Sequence, residues 1–212
     1  MFDTSLAIPL SFDELIKAGV EFNLSKAKFD KEKSVATGWC SGASTVGDYS
    51  GAMVVGNYSG VSAVGDYSGA IAIGGRSGAI ATGDCSGAST TGKCGGAIVV
   101  GNCSGASATG NYSGASATGD YSGASVTGRC GGAMVVGDNS QAMCKNNSVA
   151  VAVGKGSMAK GEIGCYIVLT EVKWDFETDT NKIIDCKCFK VDGEIIKADT
   201  CYKLVDGKPV RF

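Results

Sequence analysis

The chain contains no histidine and only 2 prolines among its 212 residues. Without histidine it lacks the commonest general base and the commonest metal ligand. Any catalytic reading would therefore have to rest on Asp, Glu, Cys, Lys or Tyr. With so little proline and no three-residue period, its 33 glycines do not describe collagen. No apolar run approaches the roughly 18 residues of a membrane span. The amino terminus, MFDTSLAIPLSFDELIKAG, places acids where a signal peptide needs a basic region followed by an apolar one. These features predict no membrane association and a reducing cytosol in which the 10 cysteines are free thiols. An extracellular disulfide scaffold is the alternative.

Charge is also scarce where the chain is most regular. The net charge is −2, and residues 38–137 hold only 4 acids and 3 bases, against 10 and 8 from Glu162 onward. No segment forms the basic stripe that nucleic acid requires, and none forms an acidic block. Nucleic acid is thus not an expected partner.

What is abundant is a repeat. Glycine recurs every nine residues from Gly38 to Gly137 without a slip, and a second series runs from Gly42 to Gly132. Ser41, Ser50, Ser59 and their equivalents lie between, with Gly95 and Gly131 as exceptions, giving the consensus G-[DN]-[YC]-S-G-A-x-x-x. The G-x-x-S-G stretch is turn chemistry, with both glycines free to take positive φ. The residues after it, such as AMVV at 52–55, read as one short strand. Strands this short need neighbours, so stacking predicts an all-β β-solenoid. The variants GKCGGAIVVG (92–101) and GRCGGAMVVG (128–137) lie 36 residues apart, a multiple of 18 and not of 27. That spacing favours two strands per 18-residue coil. Twelve units then make six coils, about 30 Å long at ~4.8 Å per coil.

Within each strand, Ala43, Ala52, Val61 and Ala70 share a face with Thr45, Val54, Ala63 and Ala72. These small side chains suit a narrow interior. The other face is also apolar, and its candidate interaction residues are Met53, Val55, Ile71, Ile73, Ile80, Ile98, Val100, Met134, Val136 and Met143. A solvated face would carry Lys, Glu and Gln instead. Either this second face docks another copy or a partner, or a wider coil encloses both sets.

In-register coils polymerise unless their ends are covered. Residues 1–36 are expected to form an amino-terminal cap with a short helix from Ser11, marked by a capping box with Glu14 and a stop at Gly19. Residues 37–161 form the solenoid. Residues 162–212 read as an antiparallel meander with D-G turns at Asp192–Gly193 and Asp206–Gly207.

Two resemblances follow. The run NSVAVAVGKGSMAKG (147–161) is similar to the repeats of β-roll heads in trimeric autotransporter adhesins. The segments GCYIVLTE and CFKVDGEIIKADTCYKLVDGKPV resemble an uncharacterised carboxy-terminal domain of phage and prophage proteins, over about residues 147–212. Tyr166 and Cys201 stand where that family usually has tryptophan. The family likeness implies a viral origin and supplies no activity.

Several columns of the repeat are candidates for chemistry. The Tyr ladder, Tyr49, Tyr58, Tyr67, Tyr112 and Tyr121, offers rigid contact area; corner packing is the plainer reading, because cysteine alternates with it. On an 18-residue coil, Cys85 and Cys103 would stack directly. The column before it, Asp48, Asn57, Asp66 and onward, invites comparison with calcium-binding β-rolls, but it admits Lys93 and Arg129. The threonines Thr82, Thr91, Thr109, Thr118 and Thr127 are interrupted by Val100, so they read as ordinary strand residues rather than an ice-binding array. Cys165, Cys186, Cys188 and Cys201 lack zinc-knuckle spacing, and no cysteine has a histidine to activate it. No enzyme activity, metal or cofactor is expected.

With the viral origin that the resemblance implies, the expected function is a phage-encoded binding scaffold acting in the host bacterial cytoplasm. Its expected partner is a host or viral protein, foremost a bacterial defence complex that it inhibits, and it is expected to form a homo-oligomer, a dimer or trimer. The alternatives are a virion or fibre component and, third, a carbohydrate-binding module.

Overall fold

A computed structural model describes residues 33–212; the helix expected from Ser11 to Gly19 lies outside the described residues. Among the described residues the chain is all-β, with no helix. The first rungs are β1 (Lys33–Thr37), β2 (Gly42–Val46), β3 (Gly51–Val55), β4 (Gly60–Val64), β5 (Gly69–Ile73), β6 (Gly78–Thr82) and β7 (Gly87–Thr91). They continue as β8 (Gly96–Val100), β9 (Gly105–Thr109), β10 (Gly114–Thr118), β11 (Gly123–Thr127), β12 (Gly132–Val136), β13 (Gln141–Lys145), β14 (Val149–Val153) and β15 (Met158–Gly161). Four more follow: β16 (Tyr166–Asp175), β17 (Thr180–Lys190), β18 (Tyr202–Val205) and β19 (Lys208–Arg211).

Odd-numbered strands β1 to β15 stack in one parallel sheet, and even-numbered strands β2 to β16 stack in a second. We call these sheet A and sheet B. Pairing partners such as Gly42 and Gly60, or Ser125 and Ser107, are 18 residues apart, so each coil has two strands. The solenoid has about eight turns rather than six. The additional rungs are β1 and β14 to β16, whose sequences depart from the glycine consensus; β14 and β15 keep small interior residues, whereas β16 turns Ile167 and Leu169 inward.

The interior follows from side-chain size. Positions two and four of each strand point inward, and Ala70, Ala72, Ala79, Ala81, Ala108 and Ala117 are fully buried. Alanine and valine let two sheets joined by four-residue corners approach closely. Larger side chains appear only where the stack ends: Ile167, Leu169, Val191, Ile196, Tyr202 and Leu204 close the carboxy-terminal end of the core.

Each corner is a ladder of its own. At Gly65–Ser68, the Gly65 N–H donates to Thr82 O (2.8 Å) and the Tyr67 N–H to Asp84 O (2.9 Å). The Asp66 N–H donates to Asp48 Oδ1 at 3.0 Å. The Ser68 N–H donates to Ser86 Oγ at 3.2 Å, while its own hydroxyl donates to Gly47 O at 3.1 Å. The serine column thereby satisfies buried backbone groups that would each cost about 1–3 kcal/mol unpaired.

The glycine expectation needs correction here. Only the first glycine of each corner has positive φ, as at Gly65 (139°). The second positive-φ residue is the Tyr, Cys or Arg before the serine, as at Tyr67 (58°) and Cys94 (62°). The second glycine series opens the strands instead, and it lies on their outward side.

The carboxy-terminal segment is two hairpins rather than one meander. β17 runs antiparallel to β16, which itself pairs in parallel with β14; β18 and β19 pair with each other on the other sheet. Asp206 (φ 47°) and Gly207 (φ 68°) form the tight turn between β18 and β19. Asp192–Gly193 does not join two strands. Asp192 Oδ1 accepts the N–H groups of Glu194, Ile195 and Ile196 at 2.8, 2.9 and 3.0 Å, which curls the chain into a loop. Those donors, Glu194 first, hold the Asp192 carboxyl below its ordinary pKa.

Candidate interaction faces and edges

Splitting alternate repeats between two sheets divides the apolar strand face. Met53, Val55, Ile71, Ile73 and Met143 lie on the outside of sheet A; Ile80, Ile98, Val100, Met134 and Val136 lie on the outside of sheet B. The coil does not enclose both sets. Ile71 is 39% exposed and Ile98 45%, while the inward positions beside them are fully buried.

The two outer faces differ. Sheet A carries an apolar patch at Met53, Val55, Ile71 and Ile73, then three rungs of small polar residues, then Met143 and Lys145. Ser89, Ser107 and Ser125 stack in register there, with Thr91, Thr109 and Thr127 beside them. Bulk at both ends and serine between them leave a trough of about 520 Å³, bounded by Ile71 and Met143 and floored by Ser89, Ser107, Ser125 and the strand-opening glycines. Val100 does not interrupt the sheet A threonines, because it lies on sheet B with Thr82 and Thr118. The uninterrupted stretch is three rungs.

The corner columns divide in the same way. Corners leading from sheet B to sheet A carry Asp48, Asp66, Asp84, Asn102, Asp120 and Asp138. Corners leading from A to B carry Trp39, Asn57, Gly75, Lys93, Asn111 and Arg129 in that column, with Arg76 one position later. The column that mixed acids with bases in the sequence is thus an acidic edge and a basic edge. Each side-chain oxygen of the acidic edge accepts the next coil's N–H, from Asp84 Oδ1 to the Asn102 amide (2.7 Å) through Asp138 Oδ1 to the Lys155 amide (2.7 Å).

Tyrosines follow the edges. Tyr49, Tyr67 and Tyr121 belong to the acidic edge, and Tyr58 and Tyr112 to the basic one. Tyr49 and Tyr67 stack with ring centroids 5.0 Å apart and planes within 3°. Cys85 on the next coil, with a smaller contribution from Tyr49, raises the Tyr67 pKa. On the basic edge, Arg76 lies 5.3 Å from the Tyr58 ring centroid and donates from Nη1 to its hydroxyl at 2.8 Å. All five rings are exposed, so they pack along the corner surface rather than into it.

The cysteines of the carboxy-terminal region do not converge. Cys165 is buried beside Cys144, whereas Cys186 and Cys188 are exposed on β17 and Cys201 is half-buried. Burial first, and then the neighbouring Cys165, pushes the Cys144 thiol up. Among the described residues no group of three or more His, Cys, Asp or Glu side chains is placed to hold a metal ion.

The sequence reading missed the serine floor of the trough and the separation of the two charged edges. Both were available from grouping columns at 18 residues instead of nine. Comparison with family models, with curated proteins and with solved structures gives no significant match, so the functional reading rests on these faces and edges.

Proposed function

We propose that the protein is a non-catalytic, phage-derived scaffold that binds a host protein on the outer face of sheet A, most directly to inhibit a bacterial defence complex. The observation that carries the reading is the trough between Ile71 and Met143. A long, shallow, mainly apolar depression with bulky ends and a floor of glycine, alanine and serine suits a protein segment laid along the stack. The corner ladders keep it pre-formed, which lowers the ordering cost of binding. The likeness of residues 147–212 to phage proteins supports a host target.

The test is tagged expression in a bacterial host, with purification under gentle conditions. A host protein should co-purify in stoichiometric amount with the wild-type chain and be lost with Ser107→Arg, which fills the trough from an exposed position. Finding the chain as a stoichiometric component of purified virions would overturn this reading in favour of a fibre component.

A further inference from the structure

Sheet B has a different character from sheet A. Its outward side carries no charged residue from Ser44 to Val168, and its centre presents Ile80, Ile98 and Met134 at 45, 45 and 42% exposure. We infer that sheet B is the contact face of a two-fold homodimer in which both solenoids point the same way along the stack.

Shape selects this arrangement. Each sheet B strand opens with glycine on the side of the basic edge: Gly42, Gly60, Gly78, Gly96, Gly114 and Gly132. Each ends with a β-branched residue on the side of the acidic edge: Val46, Val64, Thr82, Val100, Thr118 and Val136. The face is therefore a groove on one side and a ridge on the other. A two-fold axis parallel to the stack lays the ridge of each copy into the glycine groove of the other. An axis across the stack sets ridge on ridge and leaves groove over groove empty.

Charge selects it independently. The parallel arrangement places each copy's Asp48, Asp66, Asp84, Asp120 and Asp138 beside the partner copy's Lys93 and Arg129. The crossed arrangement sets like against like, which opposes association. The area is adequate. Six rungs at ~4.8 Å by seven residues at ~3.3 Å give about 29 by 23 Å. That is roughly 1,300 Å² over both copies, within the range of about 1,200–2,000 Å² for stable complexes.

The inference uses the face opposite the proposed partner trough and does not depend on it. Sedimentation velocity of the full chain at 20 μM should show a dimer. Ile98→Lys should raise its dissociation constant at least tenfold while keeping the wild-type circular dichroism spectrum, and Ser107→Arg on sheet A should leave the constant within twofold. Orientation is read by zero-length carbodiimide coupling. Lys93 and Asp84 lie on opposite edges of one chain, too far apart to couple, so a Lys93–Asp84 link within the dimer band reports the parallel arrangement. A monomer at 20 μM, a dimer indifferent to Ile98→Lys, or a dimer lacking that link would overturn the inference.

Discussion

Gly119 rests directly over Gly101. A Cβ added to Gly119 would fall 2.3 Å from the Gly101 carbonyl oxygen and 2.6 Å from its carbon. The same repeat position at Gly47, in an early coil, has no atom of the described residues within 4 Å of its added Cβ. Both have φ near 140°. Gly119→Ala must open the coil spacing and is expected to cost more than about 3 kcal/mol, whereas Gly47→Ala pays only the φ strain of about 1–2 kcal/mol. Thermal midpoints of the two variants check this; equal effects would mean that the corners do not stack as described.

Eleven corners hold a Tyr, Cys or Arg at φ between 55° and 62°. For L-residues that conformation costs about 1–2 kcal/mol, and asparagine tolerates it best. Asn139, Asn146 and Asn147 occupy it near the end of the array. Cys94→Asn should therefore stabilise the solenoid by about 0.5–1 kcal/mol, seen as a raised thermal midpoint. A lowered midpoint would show that the Cys94 side chain contributes more packing than its exposure indicates.

Glu171 fastens β16 to the β18–β19 turn, its Oε2 accepting the Gly207 N–H at 3.0 Å. That bond first, then Lys173, lowers the Glu171 pKa. Stabilisation from a lowered carboxyl pKa is complete above the ordinary carboxylate value and lost as pH falls through the folded one. The Gly207 amide should have a higher protection factor, its rate referred to the intrinsic rate at the same pH, at pH 6 than near pH 3. Glu171→Gln should show the lower protection factor at both values.

Thiol reactivity should follow burial. Cys144 and Cys165 are buried, and seven of the others are exposed. Native alkylation is expected to spare those two alone or together with Cys201. On mild oxidation Cys85 and Cys103, one coil apart and ~4.8 Å between Cα atoms, are within disulfide reach. Cys94 and Cys130, two coils apart at ~9.6 Å, are not. Non-reducing peptide mapping that found a Cys94–Cys130 link within one chain would contradict the coil length.

The fold was legible because its determinants are local. Gly47, Gly56 and their series mark every corner, and Ala70, Ala72 and their equivalents mark the interior. What escaped depended on which coil neighbours which. Ile71 and Ile80 look like one face at a nine-residue period, yet they emerge on opposite sheets. Asp84 and Lys93 look like one tolerant column, yet they occupy opposite edges. The left-handed conformation of Tyr67 was not readable at all, since tyrosine disfavours it and only the corner ladder imposes it. Asp192–Gly193 misled for a similar reason: three backbone donors gathered by one carboxylate outweigh the hairpin tendency of the dipeptide.

The most direct test of the two-faced solenoid is a lysine scan of the central outward position of each strand from β5 to β13, scored for partner capture and for self-association. Substitutions at Ile71, Ser89, Ser107, Ser125 and Met143 should abolish partner capture and spare the dimer. Substitutions at Ile80, Ile98, Ser116 and Met134 should do the reverse, so that each phenotype recurs every 18 residues along the chain. Phenotypes that recurred every nine residues, or that ignored the alternation, would contradict it.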